Sequence, residues 1–285
     1  MSSAKLAAGR GKGAGWGLRL GLGYAGVVLL ILVVMFPFLW LLQMSFKPDM
    51  LIFAWPPVLT FEPTMKHYTD LQGGQFQKSF ANSGIISVTS TALSLLIGVP
   101  ASYVLSRARL GSKGTIALWI LATRMAPPIA FTIPFFLAYR QLEWIDTLQG
   151  MVLIYMTFNL SLVIWMMRTF FDSIPRVLEE AALIDGASVW GTFRRVILPL
   201  SAPGLGATAI FAFLFSWNDF FYALILTRTK AMTAPVAVVN FMNYEGWEWG
   251  KIAAGGTMVM LPVVMFSLVV RNYLVRGLTA GAVKG

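Results

Sequence analysis

The chain has 285 residues, 57% of them hydrophobic and 12% charged, with a formal net charge of +10. Soluble domains carry about a quarter of their residues as Asp, Glu, Lys or Arg, so charge this sparse excludes a soluble globule of this size. With no Cys and a single His, His67, disulfide scaffolds, thiolate nucleophiles, Cys/His zinc sites and a serine triad drawing on a second histidine are excluded as well.

A helix crossing a bilayer needs about 20 mostly apolar residues, and six segments qualify, so the sequence predicts an all-α membrane protein with six transmembrane helices. Residues 1–23 form a basic lead-in, and the first span follows over 24–46. That run exceeds the roughly 7–15 residues of a signal h-region, and no small-residue cleavage site follows it, so it reads as a retained span. Gly21, Gly23 and Gly26 have the spacing of a dinucleotide fingerprint. They open a membrane helix instead of following a strand, so eased helix packing is the expectation. A connection rich in Pro and aromatics, 47–79, contains His67, expected to be solvated or locally bonded. The second span covers 85–105. The third, 116–139, contains Arg124 and the prolines Pro127, Pro128 and Pro134, which should kink it beside a cavity. The fourth covers 151–167. The fifth, 204–227, carries Asn218 and Asp219. A connection over 228–251 holds Trp247 and Trp249, which suit a membrane interface. The sixth span, 254–275, leads to a tail, 276–285; the membrane-embedded body is thus 24–275.

Charge sorts the two sides. With the N-terminus in the cytoplasm, the inner segments hold Lys5, Arg10, Lys12, Arg19, Arg107, Arg109, Lys113, Arg168, Arg176, Arg194, Arg195, Arg271, Arg276 and Lys284. The outer ones hold half as many: Lys47, Lys66, Lys78, Arg140, Arg228, Lys230 and Lys251. The positive-inside rule then places both termini in the cytoplasm. Asp49, Glu62, Asp70, Glu143, Asp146, Glu245 and Glu248 neutralise the outer face. The net charge belongs to the inner face, and nucleic-acid binding is unnecessary to explain it.

The inner connection 168–202, between spans four and five, has helical signals of its own. Ser173 before Pro175 offers a helix start, RVLEEAALID consists largely of good helix formers, and Gly186 offers a left-handed stop. Ser188 is placed to cap a second short helix, which must end before Pro199. The apolar residues Val177, Leu178, Ala181, Leu183 and Ile184 offer a face for another protein to hold.

Glu180-Ala181-Ala182, three residues, Gly186, nine residues, then Val196-Ile197-Leu198-Pro199 resembles the EAA motif of ABC importer permeases, EAA-x3-G-x9-I-x-L-P, with Val196 in place of Ile. Six spans and the ending VRGLTAGAVKG also resemble the MalG-type permeases of carbohydrate importers. The resemblance implies a type I importer permease fold in the bacterial inner membrane, with a cytoplasmic coupling helix between spans four and five that docks on an ATPase. Glu180, Ala181, Ala182, Asp185, Gly186, Leu198 and Pro199 are its coupling residues. It further implies a second permease chain, two ATPase subunits that bind the ATP and Mg, and a periplasmic or lipid-anchored solute-binding protein. The cargo would be a carbohydrate, with glycerol phosphate or another non-sugar solute as the alternative. No cofactor, metal or catalytic residue is expected in this chain. Ion-coupled secondary transport is the rival from another class, and Asp219 would be its coupling acid. Ionisable residues inside a membrane are costly and face protein or water. Two readings of Arg124, Asn218 and Asp219 therefore stay open: packing between spans three and five, or lining of the substrate pathway, where Arg124 would favour an acidic or sulfonated sugar.

Overall fold

The computed structural model of the chain describes residues 11–108, 111–125, 127–243 and 246–282. Of the charges counted above, Lys5, Arg10, Arg109, Glu245 and Lys284 lie outside the described residues. Helix α1 (Gly11–Ser45) has 35 residues, about 50 Å at 1.5 Å per residue. Apolar side chains are exposed along it from Leu20 to Leu39. Its extended packing is against α14 (Trp249–Ala282). Gly21, Gly23 and Gly26 do not ease packing inside this chain, because a methyl at any of them would meet open space.

Two short helices, α2 (Asp49–Ile52) and α3 (Lys66–Leu71), precede α4 (Gln75–Arg107). Helix α4 makes its most extensive contact with α7 (Leu148–Ser173). Small residues recur every three or four positions along one buried face, Ser83, Ser87, Ser90, Ser94, Gly98 and Ser102, and Gly98 lies directly against Val163 of α7. Two of the hydroxyls turn back onto the helix, Ser94 to the Ser90 carbonyl at 2.6 Å and Ser102 to that of Val99 at 2.7 Å, and Ser83 accepts the Ala234 N–H at 2.8 Å. Polar groups are thereby satisfied where water is absent.

Four helices are long and apolar enough to cross a membrane unbroken: α1, α4, α7 and α14. The third and fifth predicted spans are broken instead. Helix α5 (Lys113–Met125) meets a 3₁₀ turn (Pro128–Phe131) and α6 (Thr132–Gln141) at 90°. Pro127 and Pro128 explain the break: each lacks an N–H, and a residue before proline avoids the helical region. In the following connection, α8 (Val177–Ile184) and α9 (Val189–Thr192) are joined through a π-helical turn (Phe193–Ile197) to α10 (Leu198–Leu200). The run from Val189 to Leu200 then meets α11 (Ala202–Asn218) at 77°. Helix α11 stops at Asn218 instead of reaching residue 227; Asp219 is extended, and α12 (Phe221–Leu226) restarts the chain. Ser173 also differs from expectation, closing α7 with its hydroxyl on the Phe170 carbonyl at 2.7 Å. Helix α13 (Ala234–Val239) and the hairpin β1 (Met242–Asn243) and β2 (Gly246–Trp247) complete the fold.

Two apolar cores result. One gathers Ile86, Met151, Ile154 and Leu226; the other gathers Val163, Met167, Phe171, Phe193 and Ile197 beside α8. His67 is buried, its Nε2 2.9 Å from the Lys47 carbonyl, so it is locally bonded and not solvated.

Candidate functional site

Helix α8 stands out from the bundle. Val177, Leu178, Leu183 and Ile184 are all exposed, Ile184 to 86%. Glu180, Ala181, Asp185 and Gly186 are exposed too, and Ala182 is half-buried. Gly186 ends the helix with φ +84°, a value that L side chains rarely adopt. The Gly186 N–H bonds the Leu183 carbonyl at 3.1 Å, and the Ala187 N–H bonds that of Ala182 at 3.0 Å. These two bonds form a Schellman motif that satisfies the carbonyls at the helix end. Ser188 caps α9, its hydroxyl accepting from the Gly191 N–H at 3.1 Å. Leu198 and Pro199 lie in α10, Leu198 half-buried and Pro199 exposed. The residues of the EAA pattern thus form a hinged pair of short helices with an apolar outer face.

The residue that anchors α8 was not among those expected. Glu179 is the one buried residue of the helix. Its Oε1 accepts from Arg107 Nε at 2.5 Å and its Oε2 from the Tyr103 hydroxyl at 3.0 Å. Arg107 also donates to the Ile174 carbonyl at 3.0 Å and to Ser106 Oγ at 3.1 Å, and Ser106 donates to Asp172 at 2.5 Å. The sequence held one signal: Glu179 and Ala182, three apart, share the inward face of α8.

A second feature lies where the broken helices meet. A cavity of about 200 Å³ is lined by Arg124, Tyr155, Asn159, Ser216, Asp219 and Tyr222, with aromatic walls from Phe158 and Phe215. Arg124 and Asp219 therefore share one cavity without forming an ion pair. The Arg124 guanidinium lies 4.7 Å from the centre of the Phe215 ring. Asp219 Oδ2 accepts the Tyr155 hydroxyl at 2.9 Å and the Ala223 N–H at 3.2 Å. The Tyr222 hydroxyl is buried without a protein partner. Asn218 does not join them; its amide donates to the Leu214 carbonyl at 2.9 Å, on an exposed surface.

On the side opposite α8, Asp146 ties two connections together. Its carboxylate accepts the backbone N–H groups of Arg228, Lys230 and Ala231 at 2.8–3.1 Å and that of Thr229 at 3.1–3.2 Å. Partial burial alone would raise its pKa, but these donors outweigh it and hold the group down at about 2. A depressed carboxylate pKa stabilises the fold above the unfolded value near 4, and the benefit fades as pH falls toward 2. Asp146→Asn is expected to lower stability by about 1 kcal/mol at pH 7, a figure reduced for the group's exposure. The difference from the parent should shrink as pH is lowered from 5 to 2 in thermal unfolding followed by tryptophan fluorescence.

Residues 94–279 match the model of the family described as binding-protein-dependent transport system inner membrane component. The trehalose transport system permease protein SugB of Mycobacterium tuberculosis is 38% identical, over 88% of this chain and 93% of its own length. The trehalose/maltose transport system permease protein MalG of Thermococcus litoralis is 34% identical, over 88% and 92%. Among solved structures, a bacterial ABC transporter involved in the import of the acidic polysaccharide alginate superposes with a TM-score of 0.75 at 25% identity, covering 90% of this chain and 96% of that one. The family match spans well over half of the sequence, so the chain belongs to the binding-protein-dependent transport system inner membrane components, the permease subunits of ABC importers, which are not catalytic by themselves.

Proposed function

We propose that this chain is a permease subunit of a carbohydrate importer in which α8 is the coupling helix to the ATPase. The observation that carries the reading is α8 itself: a helix with an apolar outer face, ended at a left-handed Gly186, projecting where the motif puts the ATPase contact. Ion-coupled transport offers no use for such a helix. The two bent helix pairs count as single spans in this reading, giving six, with both termini and α8 in the cytoplasm, as the basic residues favour. Glu180, Ala181, Ala182, Asp185 and Gly186 meet the ATPase, with Leu198 and Pro199 supporting them. ATP and Mg are bound on the ATPase subunits. A second permease chain completes the pathway, and a solute-binding protein delivers the cargo to the outer face. The relatives named for trehalose and for trehalose/maltose favour a sugar or oligosaccharide as that cargo. Arg124 and Asp219 line its path, since the cavity they share offers hydroxyl, amide and charged groups beside aromatic faces, a combination suited to a polyhydroxylated ring.

The test is capture of partners by the tagged chain from its native membrane in mild detergent, beside Gly186→Pro. Proline cannot take φ +84° and lacks the N–H that bonds Leu183. The parent chain is expected to bring down an ATPase and the variant to lose it about tenfold, a loss of roughly 1.4 kcal/mol. Equal capture by both, or none by the parent, overturns the proposal.

A further inference from the structure

Helix α8 can move other parts of the protein only through what it grips. Its other seven residues are exposed or half-buried, so its firm hold on the transmembrane body is the Glu179 carboxylate. The grip has two prongs from consecutive turns of one helix: Tyr103 and Arg107, four residues apart at the end of α4, each take one oxygen of Glu179. Arg107 then reaches past it to the Ile174 carbonyl, where the chain leaves α7. A buried ion pair is weak evidence of stability, because desolvation offsets much of the attraction and apolar side chains would serve as well. What a fork supplies is geometry. Apolar surfaces slide at little cost, whereas two hydrogen bonds to one carboxylate from one helix fix both its separation and its orientation.

The other end of this connection leads to the cavity. Ser90, farther along α4, lies 3.2 Å from Ser216 Oγ of α11, which also accepts the Asn159 amide of α7 at 2.8 Å. Ser216 and Asn159 both line the cavity that holds Arg124 and Asp219. Helix α4 therefore runs from the coupling helix to the cavity wall, hydrogen-bonded to α8 in its last turn and to α11 at Ser90 midway along it, with Pro100 between the two points.

We infer that the Tyr103–Arg107–Glu179 fork passes the displacement of α8 to α4, making Glu179 a positioning residue for ATP-driven transport distinct from its neighbour Glu180. The inference rests on the importer reading above: Glu180 faces outward to the ATPase, and Glu179 faces inward and transmits. Removing the fork should leave the ATPase docked and disconnect its movement from the membrane body.

The chain has no cysteine, so it offers no thiol to compete with introduced ones. Ile184→Cys in α8 and Ile85→Cys near the far end of α4, exposed to 86% and 51%, accept spin labels. The tagged complex is captured from native membrane and placed in lipid nanodiscs. The label separation is then measured by double electron–electron resonance without nucleotide and with MgATP. With the fork intact, MgATP is expected to leave the separation unchanged, because α8 and α4 move as one body. In Glu179→Gln the ATPase should still be captured, and MgATP should change the separation by roughly 5 Å, about one helical turn. A nucleotide-dependent change of equal size with the fork intact overturns the inference, and so does an unchanged separation in both. Should Glu179→Gln fail to assemble, Tyr103→Phe and Arg107→Lys, which each remove one prong and keep the charge balance, are read by the same criterion. A parent chain that captures no ATPase fails the importer reading and removes the inference with it; capture without the variant's change fails the inference alone.

Discussion

Gly250→Ala is expected to cost about 2–3 kcal/mol of stability, the cost of overpacking a fitted contact. The first turn of α14 lies directly on the His67 ring, and a methyl at residue 250 would clash with three atoms of that ring. The imidazole has nowhere to retreat: it is 2% exposed, and its Nε2 lies 2.9 Å from the Lys47 carbonyl. Either the ring leaves that carbonyl or α14 lifts away from α3. Thermal unfolding in detergent checks the size of the effect, and a double variant checks its cause. His67→Ala alone loses a hydrogen bond worth about 1 kcal/mol together with the packing of the buried ring. Gly250→Ala added to His67→Ala should cost little more, because the clash is gone. Strictly additive losses would show that the ring is not the obstacle.

Asp219→Ala is expected to be comparably damaging, for a chemical reason. The carboxylate accepts the Tyr155 hydroxyl and the Ala223 N–H, so it fastens α7 to the point where α11 ends and starts α12 at the same time. Tyr155 is 3% exposed, and the loss of its acceptor leaves a buried hydroxyl without a partner. Together the two lost bonds amount to about 3 kcal/mol. Asp219→Asn keeps one acceptor oxygen and should cost about 1 kcal/mol. The measurement is again the unfolding temperature, followed through tryptophan fluorescence in the absence of any transported solute. A parent-like temperature for Asp219→Ala would mean that Asp219 contributes nothing to packing and serves the pathway alone.

The features legible in the sequence are those that local chemistry decides. Gly186 stops α8 because only glycine takes its φ at no steric cost, and Ser188 caps α9 because its hydroxyl reaches the third N–H beyond it. The apolar stretches within α1, α4, α7 and α14 were readable by length. The breaks in the third and fifth spans were less so. Pro127 and Pro128 predicted a kink, but hydropathy does not register a 90° turn in an apolar segment. Nor does it register the end of α11 at Asn218, which depends on Asp219 finding Tyr155 on another helix. Glu179 and Glu180 are chemically identical neighbours. Which of them turns inward is set by the rotation of α8 against α4, a tertiary property. The Asp146 carboxylate finds its four donors more than 80 residues away, and no local pattern announces such a pairing.

Helix α1 is made first and packs mainly on α14, which is made last. A chain leaves the ribosome from its N-terminus, so α1 enters the bilayer long before its partner within the chain exists. During that interval its apolar surface has lipid or another polypeptide for company. The order of synthesis thus separates the two ends of one interface in time. Closure of the bundle has to wait for α14, and a ribosome that stalls before Trp249 would leave the apolar length of α1 without its helical partner, tethered near its end through Gln43 to Leu59 and Ser45 to Tyr68.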